Sequence, residues 1–357
     1  AGIVQRCCLV LSDAEPLADM AVSGLTQLKH EDMCSYLLVC GKSLQAVIID
    51  PVIALSNRLA NMVQGQGLQL VAVLDTHLHQ DHQSARTELL TLLGNPCAGS
   101  GCDVLGWPEY STEIQLGPYQ LTRLATPGHT PEAVSILLHK QQQLLCAFTG
   151  DVILPGGVGR TDLAGGDMAA LAGSIRLLAA NINVDTLILS SHDYAQRFFT
   201  HLALAQQEQP LLQALLQNSA DSDWQPQLQQ QAITLQQQHQ HLCGLVAVSL
   251  SDATDVIAPE QLAAFLQQWP QMQVVDVREP HEQSAGALAG YLPQQWPVLE
   301  VPLSKLADAL IKQQLSLGQT LLLVCRSGNR SLMACKVLGR MGFNKVYNLK
   351  GGTALLR

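Results

Sequence analysis

Residues 68–82 read LQLVAVLDTHLHQDH. The first eight are an apolar run of strand length that closes on Asp75. Directly beyond it, His77, His79, Asp81 and His82 crowd into THLHQDH (76–82). Imidazole and carboxylate without thiolate suit Zn²⁺ or Fe²⁺, so a metal site at a strand end is expected. Further groups of that kind follow other apolar runs: His129 after YQLTRLATPG, Asp151 after QQLLCAFTG, and His192 after DTLILSS. Layered α/β folds gather their sites at such strand ends, where loops converge.

Around this stretch the chain alternates strand-like and helical segments. CSYLLVC and GKSLQAVIIDPV precede it with a helix predicted over 54–64; SARTELLTLLG follows, with Ser84 as N-cap and Gly94 as stop. AVSILLHK reads as another strand and 168–180 as a helix. From 206 to 242 Leu and Gln recur at helical spacing in a stretch without Lys or Arg, predicting polar-faced helices broken at SADSDWQP. A second unit then begins. IAPEQLAAFLQQWP predicts a capped helix, QVVDVREP a strand and turn, TLLLVC a buried strand, RSLMACKVLGRMG a helix and NKVYNLKGG a last strand and turn. The domain limits expected are an N-terminal extension over 1–24, a first domain over 25–243 and a second over 244–357.

Totals narrow the function classes. The 357 residues suffice for two or three domains. A net charge of −9 argues against nucleic acid as partner, because phosphate binding needs a basic face. No apolar run reaches the roughly 20 residues that span a bilayer, so no membrane role is expected. Ten cysteines in no CxxC pair do not read as a disulfide framework. AGIVQRCCLVLSDAEPL makes a poor signal peptide, and a reducing, cytoplasmic setting is expected.

In the second unit, Cys325 ends the buried strand TLLLVC and is followed by Arg326, Ser327, Gly328, Asn329 and Arg330. Such a loop turns backbone N–H groups and two cations toward the sulfur, next to a helix N-terminus. A thiolate held this way attacks sulfane sulfur and carries it as a persulfide. The CRSGNR loop is one residue short of the C(x)5R pattern of phosphatases, which disfavours phosphate chemistry.

The motifs THLHQDH, TPGHT (126–130), TGD (149–151) and SHDY (191–194) together resemble the metallo-β-lactamase superfold over about residues 25–205. The resemblance implies an α/β architecture, an αββα sandwich of two sheets flanked by helices. GDVILPGGVGRTDL (150–163) and HDY (192–194) look more like persulfide dioxygenases than hydroxyacylglutathione hydrolases, although Gln80 stands where that family usually has Ala. That likeness implies one Fe²⁺ per chain on His77, His129 and Asp151. His79, Asp81, His82, His192 and Tyr194 would then surround it. The alternative is two Zn²⁺ per chain in a glutathione-thioester hydrolase, with His79, Asp81, His82 and His192 as further ligands. Arg160, Arg197 and Tyr194 are candidate glutathione contacts.

CRSGNRS, VVDVREPHE (274–282) and YNLKGG (347–352) resemble the rhodanese sulfurtransferases, although Ala287 stands where a His is common. The likeness implies a small α/β domain with Cys325 as nucleophile and Asp276 and Arg278 as structural groups. A fusion of the two families implies oxidation of glutathione persulfide by O₂ to sulfite and glutathione. A second activity would move sulfur between thiosulfate and glutathione, within sulfide detoxification. The second unit could instead be a sulfur-sensing or docking module. A homodimer stays open as the assembly.

Overall fold

The computed structural model describes residues 24–79, 83–94, 101–194, 196–217, 244–246, 254–292 and 296–356. The N-terminal extension up to residue 23, Asp81 and His82, and the SADSDWQP break lie outside them. The chain divides into two compact units, 1–248 and 249–357.

The first unit opens with β1 (Gly24–His30), β2 (Met33–Cys40) and β3 (Gln45–Ile49), continues through α1 (Ser56–Gly65) to β4 (Gln69–Leu74), and reaches α2 (Arg86–Leu93). These strands form one sheet in the order β1-β2-β3-β4, antiparallel except for the β3–β4 pair. Then come β5 (Glu113–Leu116), β6 (Tyr119–Ala125), β7 (Val134–Lys140), β8 (Gln143–Gly150), β9 (Ile153–Leu154) and β10 (Gly157–Gly159). The unit continues with α3 (Met168–Asn181), β11 (Leu187–Ser190), β12 (Thr200–His201), α4 (Leu202–Glu208), α5 (Pro210–Gln217) and β13 (Gly244–Val246). The second sheet has the order β12-β11-β8-β7-β6-β5, and β13-β10-β9 form a small third one.

Alternation along the strands builds the layers. On β2, Leu37 and Val39 face outward and join Ile48, Leu55, Leu59, Val63 and Leu89 in a core under α1 and α2. On the other sheet Leu137, Ala147 and Ile188 pack against Leu171, Ile175 and Leu178 of α3 and Leu212 and Leu215 of α5. Between the sheets Tyr36 meets Phe148 edge-on, ring centroids 5.1 Å apart, both fully buried. Helices outside and two sheets inside give the expected αββα sandwich.

Helix α2 is capped differently from the expectation. Ala85 occupies the N-cap position, while the Ser84 hydroxyl donates to Asp75 and accepts the Arg86 N–H. Gly94 does end the helix, at φ +88°. Cys102 is disulfide-bonded. Cys34, Cys40, Cys146, Cys325 and Cys335 are buried thiols. No helix among the described residues is long and apolar enough to cross a membrane.

The second unit holds β14 (Asp255–Ile257), α6 (Leu262–Gln268), β15 (Gln273–Asp276), α7 (Pro280–Ser284), β16 (Val298–Glu300), α8 (Leu306–Ile311), β17 (Leu321–Val324), α9 (Asn329–Arg340) and β18 (Val346–Leu349). Its five strands run all parallel in the order β14-β18-β17-β15-β16. Crossover helices bury both faces of such a sheet, which is why LLLV of β17 is apolar without alternation.

Candidate metal centre and sulfur site

Five loops leaving β3, β4, β6, β8 and β11 build the first site. His77 lies beyond β4, His129 beyond β6 and Asp151 at the end of β8; one ligand atom of each falls within 4.8 Å of the others. All three are buried. His77 Nε2 and His129 Nε2 stand 3.8 and 3.6 Å from Asp151 Oδ2, too far for hydrogen bonds. His77 Nε2 is buried with no hydrogen-bond partner. An orphaned imidazole nitrogen beside a carboxylate and a second imidazole fits a shared cation, so these residues fit a metal ion.

Each ligand is aimed by a specific partner. The His129 Nδ1–H donates to the Arg160 carbonyl at 2.7 Å, leaving Nε2 as the lone-pair nitrogen. His192 Nδ1 lies 2.9 and 2.8 Å from the two Asp151 oxygens and donates to them. Burial pushes the Asp151 carboxyl upward, but the charge and hydrogen bond of His192 outweigh it and keep Asp151 ionised. Burial, reinforced by the His79 and His129 imidazoles, holds His77 well below the ordinary histidine range, neutral and able to ligate.

The orientation of His77 comes from Asp50, a residue that sequence reasoning passed over. The buried Asp50 carboxylate accepts the Thr76 N–H at 2.6 Å, the Thr76 hydroxyl at 3.0 Å and the Ser191 hydroxyl at 2.7 Å. With its single proton committed to Asp50, Thr76 Oγ1 can only accept from His77 Nδ1, 3.0 Å away. His77 is thereby fixed as the Nδ1–H tautomer. Gly150 makes room for this relay: at φ +55°, a Cβ there would lie 2.6 Å from Thr76 Oγ1.

His79 belongs to a different group, with Asp50 and Asp75. Its Nε2 is 3.7 Å from Asp50 Oδ1. Burial works against its cation, but Asp50 and Asp75 outweigh that and raise its pKa. Tyr194 stacks on His192 at 5.3 Å and 7°. The Arg160 guanidinium grips Asp162 with two hydrogen bonds of 2.6 Å. Arg197 is buried and pairs with Glu208 at 3.0 Å. Asp193 was also missed; it accepts Lys29 Nζ and the N–H groups of Arg197 and Phe198, fixing the turn after His192.

In the second unit, Cys325 follows β17 and is buried. Its Sγ accepts the Gly328 N–H at 3.1 Å and the Ser331 N–H at 3.4 Å, and the Ser331 hydroxyl lies 3.3 Å away. Burial pushes this thiol upward; hydrogen bonds from Ser331, Ser327 and Gly328 outweigh it, and the pKa is lowered below 9.0. Arg326, Ser327 and Asn329 are exposed. Arg330 is tied to Glu282 by bonds of 2.5 and 2.7 Å, so its charge is largely matched within the protein. Arg326 is therefore the loop cation left facing solvent. Asp276 clamps Arg278, which donates to the Gly286 carbonyl at 2.9 Å and shapes the segment carrying Glu282. The closing Gly351–Gly352 turn lies on the cysteine loop: a Cβ on Gly352, at φ +56°, would stand 2.0 Å from the Cys325 carbonyl. Glu282 could have been found from sequence, as the acid closing DVREPHE.

Residues 258–355 match the rhodanese-like domain family. The first unit is 34% identical over 177 residues to the mitochondrial persulfide dioxygenase ETHE1 of Bos taurus, covering 48% of this chain and 68% of that protein. It is also 31% identical over 172 residues to the hydroxyacylglutathione hydrolase GloC of Haemophilus influenzae, covering 41% of this chain and 79% of that one. A crystal structure of ETHE1 from Myxococcus xanthus aligns at 27% identity and TM-score 0.46, covering 61% of this chain and 98% of that one. At 34% identity across 68% of the bovine protein's length, the chain belongs to the persulfide dioxygenase family, and it carries a C-terminal rhodanese-like domain.

Proposed function

We propose that the first unit oxidises glutathione persulfide: GSSH + O₂ + H₂O gives GSH + SO₃²⁻ + 2H⁺. The observation carrying this reading is the buried His77–His129–Asp151 group, two imidazoles and one ionised carboxylate. Such a two-His, one-carboxylate set is the ligand pattern of mononuclear non-haem iron oxygenases. Fe²⁺ held by His77, His129 and Asp151 would supply the redox chemistry that a reaction between O₂ and a persulfide sulfur needs. The chain's own part is positional. Asp50 through Thr76 and the Arg160 carbonyl set the two imidazole tautomers, and His192 holds Asp151 ionised. All three side chains are buried away from bulk solvent.

In the second unit, the Cys325 thiolate takes the outer sulfur of thiosulfate, releasing sulfite and leaving Cys325–S–S⁻. Glutathione then removes that sulfur as glutathione persulfide and restores the thiolate. Both steps are reversible, so sulfur can flow either way. Arg326, exposed beside the sulfur, is the cation for the incoming dianion.

Likeness to the Haemophilus hydrolase favours a second reading, a dinuclear Zn²⁺ thioesterase. Metal analysis of anaerobically prepared protein separates the two. One iron per chain supports the dioxygenase; two zinc ions with thioester hydrolysis and no oxygen uptake overturn it.

A further inference from the structure

Asn348 sits on β18 opposite Leu323 and is 4% exposed. A buried amide needs partners, and the side chain of Asn348 has one among the described residues, the Ser331 hydroxyl at 2.6 Å. That hydroxyl carries a single proton yet faces three acceptors. They are Asn348 Oδ1, the Gly328 carbonyl at 3.2 Å and Cys325 Sγ at 3.3 Å. The two ends of an amide are interchangeable in shape, so Asn348 can meet Ser331 in two ways. With the oxygen inward it draws the hydroxyl proton away from sulfur. With the nitrogen inward it donates to Ser331 Oγ, and the hydroxyl proton is left for Sγ or the Gly328 carbonyl. A negative charge on sulfur selects the second arrangement, because hydrogen bonds to ions are about twice as strong as neutral ones.

We propose that Asn348 is a positioning residue for sulfur transfer: its amide donates to Ser331 and commits the Ser331 hydroxyl proton to the Cys325 thiolate. The relay Asn348 Nδ2–H to Ser331 Oγ, Ser331 Oγ–H to Cys325 Sγ runs between buried groups of β18, α9 and the cysteine loop. It adds one donor to the Gly328 and Ser331 N–H groups already on the sulfur. The inference rests on the reading of Cys325 as the sulfur-carrying nucleophile. Of the charged groups facing the sulfur, Arg330 of α9 acts on Cys325 and is paired with Glu282 of α7, and Arg326 follows the cysteine directly, exposed to solvent.

The test follows the rate of Cys325 alkylation by iodoacetamide against pH, on the full chain, by mass spectrometry of the Cys325 peptide. Ser331→Ala should raise the midpoint and lower the neutral-pH rate about tenfold. Asn348→Leu should lower that rate about threefold in the parent and change nothing in the Ser331→Ala background. An Asn348→Leu midpoint equal to the parent's, or a shift of the same size in both backgrounds, overturns the relay. Buried Cys335 reports folding: if Asn348→Leu makes it reactive, Asn348→Asp replaces that variant. Asn348→Asp supplies only an acceptor when ionised, so it must raise the midpoint more in the parent than in Ser331→Ala; equal shifts overturn the relay. Thiosulfate loading of the parent, a gain of about 32 Da for one sulfur, is read separately. Its absence with the alkylation pattern intact removes the transfer reading and leaves the relay supported.

Discussion

Replacing Asp50 by Asn should weaken metal binding although Asp50 stands behind the ligands rather than among them. The carboxylate accepts from three donors: the Thr76 N–H, the Thr76 hydroxyl and the Ser191 hydroxyl. Asn offers one acceptor oxygen and an NH₂ group, so at least one hydroxyl must reverse. When Thr76 reverses, it accepts from the amide and turns its proton to His77 Nδ1, 3.0 Å away. His77 then carries its own proton on Nε2, the nitrogen that faces Asp151 at 3.8 Å. A protonated Nε2 cannot ligate until that tautomer is reversed. Losing such an outer partner costs ~10- to 100-fold in metal affinity, or ~1.4 to 2.8 kcal/mol at ~1.4 kcal/mol per tenfold. The assay is anaerobic competition for Fe²⁺ with a chromogenic chelator, with melting of the metal-free protein followed in parallel. Thr76→Val, which removes the intermediary, should show a loss of similar size. Affinity within about twofold of the parent for both Asp50→Asn and Thr76→Val would refute the relay through Thr76.

Gly150→Ala would place a methyl 2.6 Å from Thr76 Oγ1 at φ +55°, so a stability loss of ~2 to 3 kcal/mol is expected; an unchanged melting temperature would sink that reading. Cys325→Ser should abolish sulfur loading from thiosulfate while leaving persulfide-dependent oxygen uptake within about twofold of the parent, since His77, His129 and Asp151 lie in the other unit; loss of both activities would contradict separate sites. Alkylation should select Cys325 over Cys34, whose pKa burial pushes up to about 12. The Cys325 pKa is lowered below 9.0, so its thiolate persists as pH falls below the range of an ordinary thiol. A depressed acid of this kind stabilises the fold above its unfolded pKa, and that contribution is lost as pH falls through the folded value. A Cys325 alkylation midpoint at or above that of a free thiol would contradict the assignment.

What could be read from the chain was local. His77, His129, Asp151 and Cys325 each follow an apolar run, so their positions at strand ends were visible one loop at a time. The groups that aim them were not, because their contacts are long-range. Asp50 acts on Thr76 and on Ser191, 26 and 141 residues away, and IID reads only as a strand running out. Arg330 read as a cation acting on the sulfur; its further tie to Glu282, 48 residues upstream, could not be read. Strand β1 left little trace for a related reason. Thr26 and Gln27 are buried along with Leu25 and Leu28, so period-two alternation is lost where a strand is covered on both faces. The short β16 and the turn-length α7 lie below the length at which periodicity can speak.

Iron-dependent oxidation of a persulfide at His77, His129 and Asp151 is the reading on which the rest depends. Oxygen consumption by the anaerobically Fe²⁺-loaded full chain, started by glutathione persulfide, bears on it without intermediaries. One O₂ should be taken up per persulfide consumed, with sulfite formed and no uptake after His129→Ala. Protein that carries two zinc ions, cleaves glutathione thioesters and takes up no oxygen with glutathione persulfide would contradict it.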